Sequence, residues 1–126
     1  MPPKMHKILV VEDETFLVKI YSVKLKKEGY DVSIATDGEE AVRMAEEVKP
    51  DLILLDLILP KMNGFEALER MRAIPALKNT SVIVLSNLGQ EEDIKRAAAL
   101  GANDYLIKAN FSIQDVVGKI RTLLNE

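Results

Sequence analysis

Cysteine is absent from the 126-residue sequence, and histidine occurs only once, at His6. Without cysteine the chain can form neither a disulfide framework nor a thiolate metal site, which is consistent with a reducing cytoplasm. His6 lies in a predicted N-terminal tail of residues 1–6. No partner in the sequence suggests that this histidine binds a metal, so we expect it to be exposed.

Long apolar runs and an excess of positive charge are also missing. No run approaches the ~20 apolar residues that cross a bilayer, and the N-terminus lacks the hydrophobic stretch of a signal peptide. The formal net charge of −3 argues against a nucleic-acid-binding surface. The 48% hydrophobic content is ample for the core of one domain of this length. We therefore expect one cytoplasmic domain over residues 7–126, with no membrane partner and, for this chain alone, no nucleic-acid partner.

The sequence contains five short, branched apolar runs that alternate with amphipathic stretches. Such runs are typical of buried parallel strands, and the stretches between them of helices. The predicted strands are residues 7–11, 31–35, 52–55, 81–85 and 104–107. The predicted helices are residues 14–28, 39–48, 64–71, 91–100 and 113–124. This alternation predicts an α/β doubly wound fold, in which right-handed crossovers place helices on both faces of a parallel sheet.

Four of the predicted strands run directly into polar residues. These are Glu12-Asp13, Asp56, Ser86 and Lys108. In an open parallel sheet, ligands bind outside the carboxyl ends of the strands. Three carboxylates, a hydroxyl and an amine should therefore converge at one edge of the sheet.

Clustered carboxylates repel one another, so this edge must hold a cation or keep a proton. With only oxygen ligands available, Mg²⁺ is the expected metal. A phosphoryl group beside it would meet the ammonium of Lys108 and the hydroxyl of Ser86, which are the stabilising groups that phosphoryl transfer needs. Asp56 stands alone at the end of the predicted central strand, and as a nucleophile it would form an aspartyl phosphate.

Five motifs in this order resemble the receiver domain of the two-component response regulators, the family of the chemotaxis regulator CheY. The motifs are residues 10–14 (VVEDE), 51–56 (DLILLD), 59–64 (LPKMNG), 82–86 (VIVLS) and 101–108 (GANDYLIK). The resemblance extends from Lys7 to Leu124. It implies a five-stranded sheet in the order 2-1-3-4-5.

The resemblance also implies a chemistry. A histidine kinase or a phosphotransfer protein would donate a phosphoryl group to Asp56. Asp13, Asp56 and the backbone carbonyl of Ile58 would bind Mg²⁺, while Glu12 would act through a metal-bound water. Lys108 would pair with the phosphoryl oxygens.

The resemblance further implies a switch. Ser86 would swing in to donate a hydrogen bond, and Tyr105 would change rotamer as a pre-existing two-state equilibrium shifts. The output would be contact with a downstream protein through residues 91–100, 105–108 and 113–124. The chain would be a monomer, or a dimer that forms on phosphorylation.

The sequence departs from the family pattern at several positions near the predicted site. Ala109 replaces the usual proline after the lysine, so we expect the Lys108–Ala109 peptide to be trans. Asn87 stands where a small residue is common. Ile58 and Leu88 are bulky and apolar, and we hypothesise that they hinder the hydrolytic water and prolong the life of the aspartyl phosphate.

Three other functions fit parts of this pattern. A haloacid-dehalogenase-like phosphatase would need a second aspartate where Ile58 stands. A flavin-binding electron carrier would need a Ser/Thr/Gly-rich phosphate loop after the first strand, where this chain has three acidic residues, 12–14. A receiver that serves only as a scaffold remains an alternative, chiefly because of Ala109. We expect a phosphoacceptor in signalling and not an enzyme.

Overall fold

A five-stranded parallel sheet forms the centre of the computed structural model, which describes residues 5–126. The strands lie in the order β2-β1-β3-β4-β5, as the resemblance predicted. They are β1 (Lys7–Val11), β2 (Asp31–Ala35), β3 (Leu52–Leu55), β4 (Ser81–Ser86) and β5 (Asp104–Ile107). The helices are α1 (Thr15–Lys27), α2 (Gly38–Val48), α3 (Gly64–Arg72), α4 (Glu91–Ala99) and α5 (Ile113–Leu123). Two short 3₁₀ turns occupy Pro75–Leu77 and Lys108–Asn110.

The central strands β1, β3 and β4 are mostly apolar because both faces of the sheet are covered there. Alternate residues point to opposite faces. In β1, Ile8 and Val10 join a core with residues of α1 and α5, whereas Leu9 and Val11 join a second core with residues of α2 and α3. The predicted doubly wound architecture is thus confirmed.

The predicted helix boundaries agree with the structure to within one residue at each end. Side chains of Asp37, Asn63 and Ser112 accept hydrogen bonds from the first turns of α2, α3 and α5. Strand β4 is one residue longer than predicted, because Ser86 still pairs with Ile107 of β5. This extension draws Ser86 into the sheet.

His6, the last residue of the predicted N-terminal tail, is half-buried. Residues 1–4 of the predicted tail lie outside the described residues. The backbone carbonyl of His6 accepts a hydrogen bond from the N–H of Asp31, and Nδ1 of its half-buried ring lies 3.0 Å from Oε1 of Glu126. The expectation of an exposed His6 was therefore wrong, because its partner lies at the far end of the sequence.

Parallel pairing sets the carboxyl ends of four strands at one edge of the sheet. The register matches Val11 to Leu55 and Leu55 to Val84, and it matches Ser86 to Ile107. The segments after β1, β3, β4 and β5 therefore emerge side by side. Along residues 5–126, no helix is both long enough and apolar enough to span a membrane.

Candidate functional site

An ion cluster lies at this carboxyl edge of the sheet. Nζ of Lys108 donates to Oε1 of Glu12 at 2.5 Å and to Oδ2 of Asp56 at 2.9 Å. Both carboxylates are buried, Glu12 at 2% exposure and Asp56 at 6%. The structure thus brings together Asp56, which is the predicted nucleophile, with the predicted Lys108 and Glu12.

Asp13 completes an acidic trio. Carboxylate oxygens of Glu12, Asp13 and Asp56 lie within 4.8 Å of one another, and Asp13 is the exposed member. An all-oxygen donor set with one carboxylate open to solvent fits a hard divalent cation that keeps some of its water. Within residues 5–126, Lys108 is the one ammonium paired with any of these three carboxylates, so the cluster also attracts a cation electrostatically.

Burial and the ion pairs change the pKa values of Glu12 and Lys108. Burial raises the pKa of Glu12, although the hydrogen bond from Lys108 and the N–H of Glu14 oppose that rise. Burial alone would lower the pKa of Lys108, but its hydrogen bonds to Glu12 and Asp56 outweigh this effect, so the pKa is raised. Lys108 therefore remains a cation at neutral pH.

A depression of about 180 Å³ opens onto Asp56 from solvent. Its lining consists of Asp13, Glu14, Asp56, Ile58, Asn87 and Lys108. Ile58 is 59% exposed, and its N–H lies 3.3 Å from Oδ1 of Asp56. The geometry leaves room beside the Asp56 carboxylate for a small anionic group and a metal ion.

Neither Ser86 nor Tyr105 forms a hydrogen bond with Asp56; both form one with the backbone of Leu88. Ser86 is fully buried, and its Oγ accepts a hydrogen bond from the N–H of Leu88 at 3.3 Å. The Tyr105 hydroxyl donates to the carbonyl of Leu88. Burial raises the pKa of Tyr105, and the nearby carboxylates of Asp93 and Asp56 add to this. The two predicted switch residues thus converge on one residue of the β4–α4 loop.

Leu88 itself faces away from the depression. Its half-buried side chain packs against a small core cluster that contains Leu57, Phe65, Val84 and Ala97. Of the two apolar residues that were expected to hinder water, only Ile58 lines the depression.

One contact at the site was not predicted. The N–H of Ala109 donates to Oδ1 of Asn87 at 3.1 Å, which joins the loop after β4 to the loop after β5. The peptide before Ala109 is trans, as expected. The sequence did contain a signal for this contact, because both residues depart from the family pattern.

The loop after Asp56 is held by close backbone packing, which the sequence analysis also missed. A Cβ on Gly64 would lie 2.3 Å from the carbonyl oxygen of Asp56, and one on Gly38 would lie 1.9 Å from that of Met62. The N–H of Gly64 donates to the carbonyl of Leu57 at 2.9 Å. These two helix N-termini therefore fix the backbone on either side of the loop.

Comparisons with known proteins agree with this geometry. The family model of the response regulator receiver domain matches residues 8–121. Among curated proteins, the alkaline phosphatase synthesis transcriptional regulatory protein PhoP of Bacillus subtilis is 40% identical over 94% of this chain and 48% of its own length. The DNA-binding dual master transcriptional regulator RpaA of Synechocystis is 37% identical over 95% of this chain and 49% of its own length. The chain spans about half the length of these curated relatives.

Solved structures give the same result. A CheY-like receiver domain protein from Methanospirillum hungatei has a TM-score of 0.90 at 28% identity, covering 97% of this chain and 95% of that one. The receiver domain of the sensor histidine kinase PA1611 from Pseudomonas aeruginosa, which holds a magnesium ion in its active-site cleft, has a TM-score of 0.88 at 29% identity, covering 98% of this chain and 100% of that one. The family model covers the whole sheet except its first residue, and the chain therefore belongs to the response regulator receiver domain family.

Proposed function

We propose that this receiver accepts a phosphoryl group on Asp56, in a Mg²⁺-dependent reaction, from a histidine kinase or a phosphotransfer protein. The observation that carries the proposal is the position of the Asp56 carboxylate. One of its oxygens is held by Lys108 at 2.9 Å, oxygens of Glu12 and Asp13 lie within 4.8 Å, and the group borders the depression.

Asp13, Asp56 and the backbone carbonyl of Ile58 would hold Mg²⁺, with Glu12 acting through a water. When bound, the ion would neutralise the carboxylates and polarise the phosphoryl group. The acidic trio supports this assignment, as does the position of Ile58 on the wall of the depression.

The transfer step uses the Asp56 carboxylate as nucleophile. One of its oxygens forms a bond to phosphorus while the bond from phosphorus to the donor's histidine nitrogen breaks, and that nitrogen keeps the electron pair. Lys108 already contacts Asp56 and would balance the charge of the phosphoryl oxygens. Ser86 would donate its hydroxyl hydrogen to one of them after giving up its contact with the Leu88 N–H.

The switch would then act through Leu88. Because Ser86 and Tyr105 both bond to this residue, movement of Ser86 would release the loop that precedes α4. The output would be altered contact between a downstream protein and the face built from residues 91–100, 105–108 and 113–124. We place this exchange in the cytoplasm, with the chain as a monomer or as a dimer that forms on phosphorylation.

The rival functions have less support. The position where a phosphatase of the haloacid dehalogenase type has its second aspartate holds Ile58, which is 59% exposed. Three acidic residues follow β1, where a flavin carrier would bind phosphate. A scaffold without phosphorylation would not need a lysine held between two buried carboxylates.

Intact mass after incubation with acetyl phosphate and Mg²⁺ tests the proposal. We expect one phosphoryl adduct that is lost in Asp56→Asn and when the metal is chelated. Asp51→Asn is the matched control, because Asp51 precedes the same strand but binds the Lys7 N–H at the opposite edge. Absence of the adduct from the folded wild type, both with acetyl phosphate and with phosphorylated kinase, would overturn the proposal.

A further inference from the structure

The contact between Asn87 and Ala109 links two segments that carry the proposed chemistry. Asn87 directly follows Ser86, and Ala109 directly follows Lys108. The Ala109 N–H donates to Oδ1 of Asn87 at 3.1 Å. A proline at position 109 would have no N–H to donate, so this bond depends on the departure from the family pattern.

The bond also fixes which way the Asn87 amide faces. A carboxamide has a carbonyl oxygen that accepts and an NH₂ group that donates two hydrogen bonds. Because a backbone N–H can only donate, the carbonyl oxygen is the atom that faces Ala109. Within residues 5–126 no acceptor engages Nδ2 of Asn87, and the residue lines the depression with Asp56 and Lys108.

Charge makes such a donor useful at this position. Glu12, Asp13 and Asp56 crowd negative charge around the depression, and a phosphoryl group adds more. A neutral NH₂ donor stabilises a phosphoryl oxygen and leaves the cation-binding carboxylates unchanged. Hydrogen bonds to an ionised acceptor are roughly twice as strong as bonds between neutral groups.

We propose that Asn87 is a phosphoryl-binding residue, whose NH₂ group donates to an oxygen of the phosphoryl group on Asp56, and that Ala109 positions it through its N–H. Asn87 and Ala109, which both depart from the family pattern, would then act together. This inference rests on the proposed phosphorylation of Asp56 and adds a ligand to that site.

Asn87→Asp separates binding from a merely structural role. Aspartate keeps an oxygen for the Ala109 N–H but replaces the donating NH₂ group with a second oxygen. With acetyl phosphate at saturating Mg²⁺, we expect the variant to form the adduct at least about tenfold more slowly than the wild type. Asn87→Ala should be slowed less, because it loses the donor without adding a negative charge.

The role of Ala109 is tested by a double-mutant cycle. Ala109→Pro should slow adduct formation in the wild type but have no further effect in Asn87→Ala, because its action requires the asparagine. Hydrogen exchange of the Ala109 amide, measured by NMR without phosphodonor, should stay slow in Asn87→Asp and become fast in Asn87→Ala. That readout does not depend on phosphorylation.

The outcomes distinguish the inference from the proposed function. No adduct on the wild type, either with acetyl phosphate or with phosphorylated kinase, would refute phosphorylation of Asp56 itself. A normal adduct on the wild type, with Asn87→Asp as fast as the wild type, would refute the binding role of Asn87. Equal slowing by Ala109→Pro in both backgrounds would show that Ala109 does not act through Asn87.

Discussion

The two edges of the sheet handle polar groups in opposite ways. Around Asp56 at the carboxyl edge, three carboxylates crowd the ammonium of Lys108, and single hydrogen bonds of Ser86 and Asn87 hold the β4–α4 loop in place. At the amino edge, by contrast, one arginine side chain bonds to several backbone carbonyls. The contrast separates the edge at which we propose the chemistry from the edge whose bonds hold the fold together.

Arg72, the last residue of α3, organises the amino edge. Its guanidinium donates to the carbonyls of Gly101 at 2.7 Å, Leu77 at 2.8 Å and Thr80 at 2.6 Å, and to Oδ1 of Asn103 at 3.1 Å. Burial lowers the pKa of Arg72, which nevertheless stays charged. Every contact goes to a neutral acceptor, so the guanidinium serves as a multidentate clamp.

The difference would let the proposed switch act at one edge while the other edge stays fixed. The carbonyls at the amino edge lose their partner if Arg72 moves, and this end of the fold therefore resists change. Around Asp56 the carboxyl edge has an excess of negative charge, which a bound cation or a proton would relieve. The proposed phosphorylation would change the charge at this edge and leave the bonds of Arg72 at the other edge in place.

Arg72→Ala should have the largest effect on stability of the substitutions considered. We expect it to lower the free energy of unfolding by about 3 kcal/mol, because partly buried carbonyls lose their donor. The folded fraction should still form the adduct with acetyl phosphate at the wild-type rate. Urea denaturation and intact mass measure the two quantities.

Arg70→Ala is the matched control for this variant. Arg70 lies on the same helix, but its guanidinium pairs with the exposed Glu66 at 3.0 Å. Such surface pairs contribute only about 0.3–0.5 kcal/mol. Equal destabilisation by the two variants would contradict the clamp role of Arg72.

Gly38→Ala tests whether the carboxyl edge also contains a rigid element. The added Cβ would meet the carbonyl oxygen of Met62 at 1.9 Å, so the loop after Asp56 must move. We expect a loss of about 2 kcal/mol in denaturation experiments. Adduct formation should slow as well, since the same loop carries Ile58.

Gly118→Ala is the opposite case. Gly118 lies inside α5, and its added Cβ would meet nothing within 4 Å. Removal of a helix-interior glycine should raise stability by about 0.5–1 kcal/mol. If both alanine variants were stabilising, the close packing of α2 against the loop would be refuted.

Ile58→Asn tests the carboxyl edge separately from stability, because it changes an exposed side chain beside Asp56 and leaves the core unchanged. If the apolar side chain excludes the hydrolytic water, the adduct should decay about tenfold faster in the variant. Stability should hardly change. The decay is followed by intact mass after removal of the phosphodonor.

Val23→Asn controls for loss of exposed apolar surface, because Val23 on α1 is 59% exposed, like Ile58. Its adduct should decay at the wild-type rate. An unchanged decay in Ile58→Asn, and also in the double variant with Leu88→Asn, would refute the proposed hindrance.

The sheet was predictable because its residues obey local rules. Strands such as Leu52–Leu55 are buried on both faces, so a short apolar run between amphipathic stretches marks them. The candidate site was predictable for a related reason. Glu12, Asp56 and Lys108 each follow a strand at once, and parallel strands bring such positions to one edge.

The contacts that the sequence did not predict join residues far apart in the chain. Arg72 bonds to Gly101, 29 positions away, and His6 pairs with Glu126, 120 positions away. The periodicity of single elements does not encode such pairs. The side-chain direction of Leu88 also escaped prediction, because loop geometry and not strand alternation sets it.

Asp37 also lies at the carboxyl edge, but its carboxylate is paired: it accepts a hydrogen bond from the Glu40 N–H and forms an ion pair with Lys61. The N–H of Glu40 lowers the pKa of Asp37, burial opposes this, and Lys61 adds to the lowering from 3.6 Å. A lowered pKa in the folded state stabilises the fold above the pKa of the unfolded chain, near 3.9. This contribution is lost as the pH falls through the folded-state pKa.

Asp37→Asn keeps an oxygen for the Glu40 N–H but removes the titrating charge. The wild type should therefore be more stable than the variant by about 0.5 kcal/mol at pH 7. The gap should close as the pH falls through the lowered pKa of the folded state, because the carboxylate of the wild type then becomes protonated. Urea denaturation across this range measures the gap. A stability difference that does not change with pH would mean that the charge of Asp37 does not contribute to folding. Asp37 would then stabilise α2 only as a neutral acceptor for the Glu40 N–H.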